Sequence, residues 1–163
     1  VRWDAFEQAC PEIGSMARER FARDELVLVG TIRADGSPRI SPTEPDFAAG
    51  ELFLGMMWRS PKALDLLRDP RGVVHSVPSD RWNEGGDIKL YGTLDAIDDL
   101  DIRSVYREAI RARLDWAPEE PSFHLFALDL EHAAYKRFDE HTNETWTWSP
   151  GRGLERRTTP NVE

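Results

Sequence analysis

The 163-residue chain has one cysteine, Cys10, so it can form no internal disulfide. A lone thiol in a helical apolar pattern reads as a small buried hydrophobe. Lysine is nearly absent, at positions 62, 89 and 136 only, and the other basic residues are arginines. Acidic residues outnumber basic ones, 30 to 21, for a formal net charge of −9. That balance counts against nucleic acid as a partner, which requires a basic surface. No stretch approaches the roughly 18 apolar residues of a membrane span, and no basic-then-apolar leader is present. The reading is a cytoplasmic protein with no membrane partner. Catalytic signatures are also missing. His75, His124, His132 and His141 lack metal-ligand spacing, so no metal is expected. There is no nucleophile elbow, phosphate loop or dinucleotide fingerprint. No catalytic residue is evident, and any enzymatic chemistry falls to a bound cofactor.

What is present suffices for one domain, since a chain of this size buries roughly 70% of its unfolded surface. Trp3, Phe6, Cys10, Ile13, Ala17 and Phe21 follow the three-and-four spacing of one helix face. Pro11 divides the segment into two short helices. Residues 26–33 read as a doubly buried strand, and Asp35-Gly36 turns it into a hairpin. The next strand runs from Pro38 to about Phe47, with Pro38 and Pro42 at an edge or bulge. A third strand, Glu51–Met57, completes an expected meander. Ser60 and Pro61 start a two-turn helix, with serine as cap and proline in the first turn. A fourth strand follows at 73–77, then a polar loop at 78–86 and a long alternating strand at 87–97. Asp98 or Asp99 caps a helix to about Trp116, with Ile102, Val105, Tyr106, Ala109 and Ile110 facing inward. Strands at 123–130, 134–138 and 144–149 complete the pattern. The expected fold is mainly β with flanking helices: a six- to seven-stranded antiparallel β-barrel over residues 1–149. Residues 150–163 read as a polar C-terminal tail, disordered or docked on a partner chain.

Two segments carry candidate chemistry. Arg59 and Lys62 place cations at a helix N-terminus, where the dipole disfavours them by about 0.3–1 kcal/mol each. The arrangement makes sense around an anion held by backbone N–H groups, the Ser60 hydroxyl and both cations. The other reading is a capped surface helix whose cations face water. In the second segment, Arg39, Ser41 and Thr43 share one strand face, as a ligand rim or as a solvent-facing edge.

Together the segments resemble the pyridoxamine 5′-phosphate oxidase-like family of split-barrel flavin-binding proteins. The resemblance rests on LVGTIRADGSPRISP (28–42), ELFLGMM (51–57), SPKALDLLRDPR (60–71) and GDIKLYGTLDAI (86–97), in that order. It implies a homodimeric split β-barrel with FMN at the interface. By position, Ser60 and Lys62 match the family's phosphate-binding serine and lysine, and Arg39 matches the basic residue of the second strand. Ser41 and Thr43 fall where that strand passes the cofactor, and Met56 and Met57 fall against the flavin ring. Two departures stand out. Pro61 occupies the place of a family arginine, with Arg59 as its replacement from the other side. Asp87 stands where the oxidase has a glutamine. The arginine-rich substrate motif also lacks a counterpart near the C-terminus, which argues against pyridoxamine phosphate as substrate.

Relatives with this reduced pattern resemble users of the deazaflavin F420, whose acidic tail calls for cations such as Arg33 or Lys89. The expected function is a flavin-dependent oxidoreductase that passes a hydride to or from a small-molecule substrate. The alternatives are an F420-dependent reductase, a non-catalytic flavin- or haem-binding protein, and a barrel without ligand. Whether Trp146 and Trp148 reach across a dimer interface is left open.

Overall fold

The computed structural model describes residues 1–78, 81 and 85–161. The polar loop expected at 78–86 therefore lies largely outside the described residues, as do the last two residues of the chain. The helical start is divided at Pro11 into α1 (Trp3–Ala9) and α2 (Pro11–Asp24). All six residues of the expected apolar face are buried in the main core.

The strands are β1 (Val27–Ile32), β2 (Pro38–Thr43), β3 (Pro45–Ala48), β4 (Glu51–Met57), β5 (Arg71–Ser76) and β6 (Asp87–Ala96). They are followed by β7 (Phe123–Phe138), β8 (Thr142–Ser149) and β9 (Gly153–Pro160). Helices α3 (Pro61–Arg68) and α4 (Leu100–Leu114) come after β4 and β6. The spatial order is β2-β1-β5-β6-β7-β4-β3, with β8 on β7 and β9 on β8. Every pairing is antiparallel.

Three expectations change. The run from Pro38 to Phe47 is two strands, because its pairing partner switches at Glu44: β2 lies on β1 and β3 on β4. β2 and β4 are thus not neighbours in a meander. The two edges of the sheet are consecutive in the chain, so the sheet curls until they approach, and Thr43 Oγ1 donates to the Gly55 carbonyl across the seam at 3.1 Å. The edge position of Pro38 and Pro42 is as their missing N–H groups require. Next, residues 153–160 are not a loose tail but β9, so the described strands number nine rather than six or seven. Finally, Ile102 and Val105 of α4 are exposed, and Arg103 is buried beside Tyr106 and Ile110. Trp148 packs on Phe6, and Trp146 packs on Tyr135 beneath Arg156, both within their own chain.

The barrel interior is one cluster that takes in α1, α2 and, through Ala63 and Leu66, α3. A second cluster lies outside the barrel, where Tyr106 and Ile110 of α4 cover Phe53, Phe123, Leu125 and Ala127. The alternation of β4 thus sends Leu52, Leu54 and Met56 inward and Phe53 outward under α4. Between these two layers β4 ends and α3 begins.

Candidate functional site

The turn from Met57 to Ser60 is the junction. The Ser60 N–H donates to the Met57 carbonyl at 3.1 Å, which closes the turn. Arg59 inside it has φ +55°, a left-handed conformation that costs a non-glycine residue about 1–2 kcal/mol. Ser60 occupies the N-cap position of α3, but its side chain makes no capping hydrogen bond. Its Oγ is buried without a partner, in a residue 9% exposed. Pro61 contributes no N–H, so the donors of Lys62 and Ala63 at this helix start have no capping side chain. The cap expected from the sequence is therefore a residue in cap position whose hydroxyl is left unused. Leaving a buried hydroxyl unpaired costs about 1–3 kcal/mol.

The sequence-predicted residues gather around this start to different degrees. Lys62 is half-buried and donates to the Pro42 carbonyl on β2. Burial lowers its pKa against the opposing pull of Glu44. Arg59 is exposed, and neither cation forms an ion pair among the described residues. Arg39 reaches toward α3, and its Nε donates to Asp65 at 2.6 Å. Thr43 is buried and spent on the Gly55 carbonyl, while Ser41 is half-buried on the same strand. Met56 points into the core, whereas Met57 is 79% exposed. Only the second methionine therefore has a side chain free to meet a ligand.

Two residues at this place were not singled out from the sequence. Asp65 is buried, accepts from Arg39 and from Thr31 Oγ1 at 2.9 Å, and lies 3.6 Å from Arg68. Burial alone would raise its pKa, but those hydrogen bonds and the neighbouring guanidinium charges outweigh it and hold the carboxyl below its usual range. It orients Arg39. The available signal was an acid one turn into a helix opposite a strand arginine. The other residue is His124, directly opposite Met56 in the β4–β7 register. Its ring stacks on Trp58, with centroids 4.5 Å apart and planes at 9°. Its Nε2 is buried without a partner, and burial, then Arg103, lowers its pKa, so the ring is neutral near pH 7. No spacing rule in the sequence links it to the turn.

The other cations weighed in the sequence stand apart. Lys89 donates to Asp87, with His75 Nε2 4.0 Å from the same carboxylate, and Arg33 is exposed. Among the described residues no group of three or more His, Cys, Asp or Glu side chains is placed to hold a metal ion, and no helix is long and apolar enough to cross a membrane.

No family model and no curated protein sequence matches the chain. Solved structures do. A pyridoxamine 5′-phosphate oxidase-related, FMN-binding protein from Nostoc punctiforme superposes with a TM-score of 0.65 at 16% identity, over 94% of this chain and 98% of that one. A protein from Clostridium acetobutylicum related to general stress protein 26, of the pyridoxinephosphate oxidase family, gives 0.63 at 16% identity over 84% and 94%. The haem storage protein HutZ from Vibrio cholerae gives 0.59 at 15% identity over 73% and 90%. At such identities the likeness is one of fold, and the fold of this chain is that of the pyridoxamine 5′-phosphate oxidase-related proteins.

Proposed function

We propose that the chain is an FMN-dependent oxidoreductase acting as a homodimer on a small-molecule substrate. The observation that carries this reading is the buried, unpartnered Ser60 Oγ at an uncapped helix start, between Arg59 and Lys62. A phosphate there accepts from the Ser60 hydroxyl and the free N–H groups of the first turn, and its charge suits the dipole and both cations. Arg39, held through Nε by Asp65, offers its terminal nitrogens from β2. Ser41 shares the strand face of Arg39, and exposed Met57 gives the ring an apolar surface. When bound, FMN supplies the hydride chemistry. The protein's share is to bind, orient and exclude water, and no protein nucleophile is required. Ile40 and Trp58, exposed apolar side chains on the two segments that flank the site, suit burial against a second copy.

The test is titration of the purified protein with FMN, followed by flavin fluorescence and by sedimentation with and without FMN. Micromolar binding that weakens in Lys62→Ala, to a dimeric species, supports the reading; no binding, or binding indifferent to Lys62, overturns it. F420 is the weaker alternative, because Lys89, one of the cations its acidic tail would use, is engaged by Asp87.

One observation favours a second reading, a haem-binding protein without turnover. His124 offers a neutral imidazole with a free Nε2, the axial donor type of many haem proteins. Absorbance of the protein mixed with haemin separates the two. A sharp Soret band lost in His124→Ala supports haem, and its absence leaves the flavin reading alone.

A further inference from the structure

Next to the Met57–Ser60 turn, but on the face covered by α4, lies a cleft of about 420 Å³ that shares only Met57 with the anion site. Its floor is Gly55, where the Tyr106 hydroxyl occupies the space a Cβ would need. Its walls are Met57, Trp116 and Phe123, and Trp116 is 61% exposed. The loop that carries Trp116 and closes the cleft is tied down from α4. Buried Arg103 donates to both carboxylate oxygens of Glu120 at 2.8 Å and to the carbonyls of Ile97 and Phe123 at 2.9 and 3.1 Å. Its guanidinium also sits 4.1 Å from the Phe123 ring centroid. Arg107 Nε holds the Pro118 carbonyl at 2.8 Å. The wall is therefore formed before any ligand arrives, and both arginines are turned to the loop. Glu119 is the one carboxylate in the lining, which carries no cation.

We infer that this cleft is a binding site for a planar aromatic molecule that carries no negative charge, and that it prefers a cationic ring. Pockets of roughly 300–1,000 Å³ with apolar walls and a few polar groups are the usual form of small-molecule sites, and this one has room for a molecule of two or more fused rings. Trp116, 61% exposed, presents an aromatic face that attracts a cation, the buried Tyr106 and Phe123 complete the apolar lining, and Glu119 adds a charge that repels an anion. The chemistry is the complement of the anion site, and Met57 belongs to both. That the occupant is the flavin's reaction partner rests on the flavin reading; that the cleft binds it does not.

The probes are N-methylquinolinium and naphthalene-2-sulfonate, two fused-ring molecules of opposite charge, titrated calorimetrically. The cation is expected to bind about tenfold tighter than the anion, and Trp116→Ala to weaken it about fivefold or more. Glu119→Gln, at an exposed position, is expected to narrow the preference to within about threefold without moving the melting temperature. Equal or tighter binding of the anion, no binding of the cation, or indifference to Trp116→Ala overturns the inference. A change of oligomeric state on adding the cation also overturns it, since it assigns the cleft to a second copy of the chain. FMN titrated in parallel keeps the claims apart. If only the cation binds, the flavin reading falls and the cleft stands; if only FMN binds, the reverse holds.

Discussion

Asp99, before α4, accepts from the N–H groups of Asp101 and Ile102 at 2.9 and 3.0 Å, so the first turn of that helix has its donors satisfied by its own chain. Ser60 stands in the same place before α3 and gives its hydroxyl to nothing. The contrast extends along both helices. Three of the four arginines of α4 are spent inside the molecule: Arg103 on Glu120, Arg107 on Pro118, and Arg113 on buried Asp46. At α3 the flanking Arg59 and Lys62 have no carboxylate partner among the described residues, and Arg59 is held in a strained conformation. A finished helix start maximises stability, whereas an unfinished one retains a cost of about 1–3 kcal/mol that an incoming hydrogen-bond partner removes. The difference separates the part of the structure that holds the fold from the part open to chemistry.

The largest effect that sharpens this contrast is expected at Arg103. Arg103→Ala leaves Glu120 and two carbonyls without their donor, and losing hydrogen bonds to a charged group while leaving two carbonyls unpaired costs about 3 kcal/mol. Urea unfolding is expected to show that loss, with FMN affinity unchanged to within about twofold. A variant that unfolds normally but loses FMN would break the division between the helices.

Next comes the far end of α4. Asp46 has its pKa raised to about 6, first by burial, with Arg113 opposing and Glu44 adding. Between its ordinary value of 3.8 and about 6 the folded protein holds a proton there that the unfolded chain has released. Stability from this group therefore rises as pH falls through that window. Relative to Asp46→Asn, the wild type is expected to gain on the order of 2 kcal/mol between pH 7 and pH 4. Chemical denaturation of both proteins at each pH checks this, and parallel curves would remove Asp46 from the account.

The smallest effect returns to α3. Arg59→Gly relieves the left-handed strain and is expected to stabilise by about 0.5–1 kcal/mol while weakening FMN binding. A rise in melting temperature without loss of affinity would make Arg59 a structural accident rather than part of the site.

Much of this was legible in the sequence where local rules act without competition. Pro11 divides the first helix, Gly36 turns the hairpin at φ +82°, and edge prolines mark β2. The failures share a physical cause: the deciding partner is distant in the chain. β9 has almost no apolar pattern because it adds to the rim of the sheet, where it buries little. It is held by backbone pairing with β8, by Arg156 over Trp146 at 4.3 Å and by an Arg156–Glu12 ion pair at 2.9 Å. Periodicity chose Ile102 and Val105 for the inward face of α4, but Arg103, held by four hydrogen bonds, took it. At the candidate site the residue types were readable, while the engagement of Arg39 by Asp65 and the stacking of Trp58 on His124 came only with the fold.

The central claim is that the α3 start is built for an anion and the α4 start for stability. The direct measurement is FMN affinity and thermal midpoint for wild type, Ser60→Ala and Asp99→Ala, side by side. Ser60→Ala is expected to bind FMN about tenfold more weakly, the worth of one hydrogen bond to a charged group, with an unchanged or higher midpoint. Asp99→Ala is expected to lower the midpoint by about 2–4 °C, for a lost cap of about 1 kcal/mol, and to bind FMN as the wild type does. Equal FMN affinity in Ser60→Ala and wild type, or a loss shared equally by both variants, would contradict the claim.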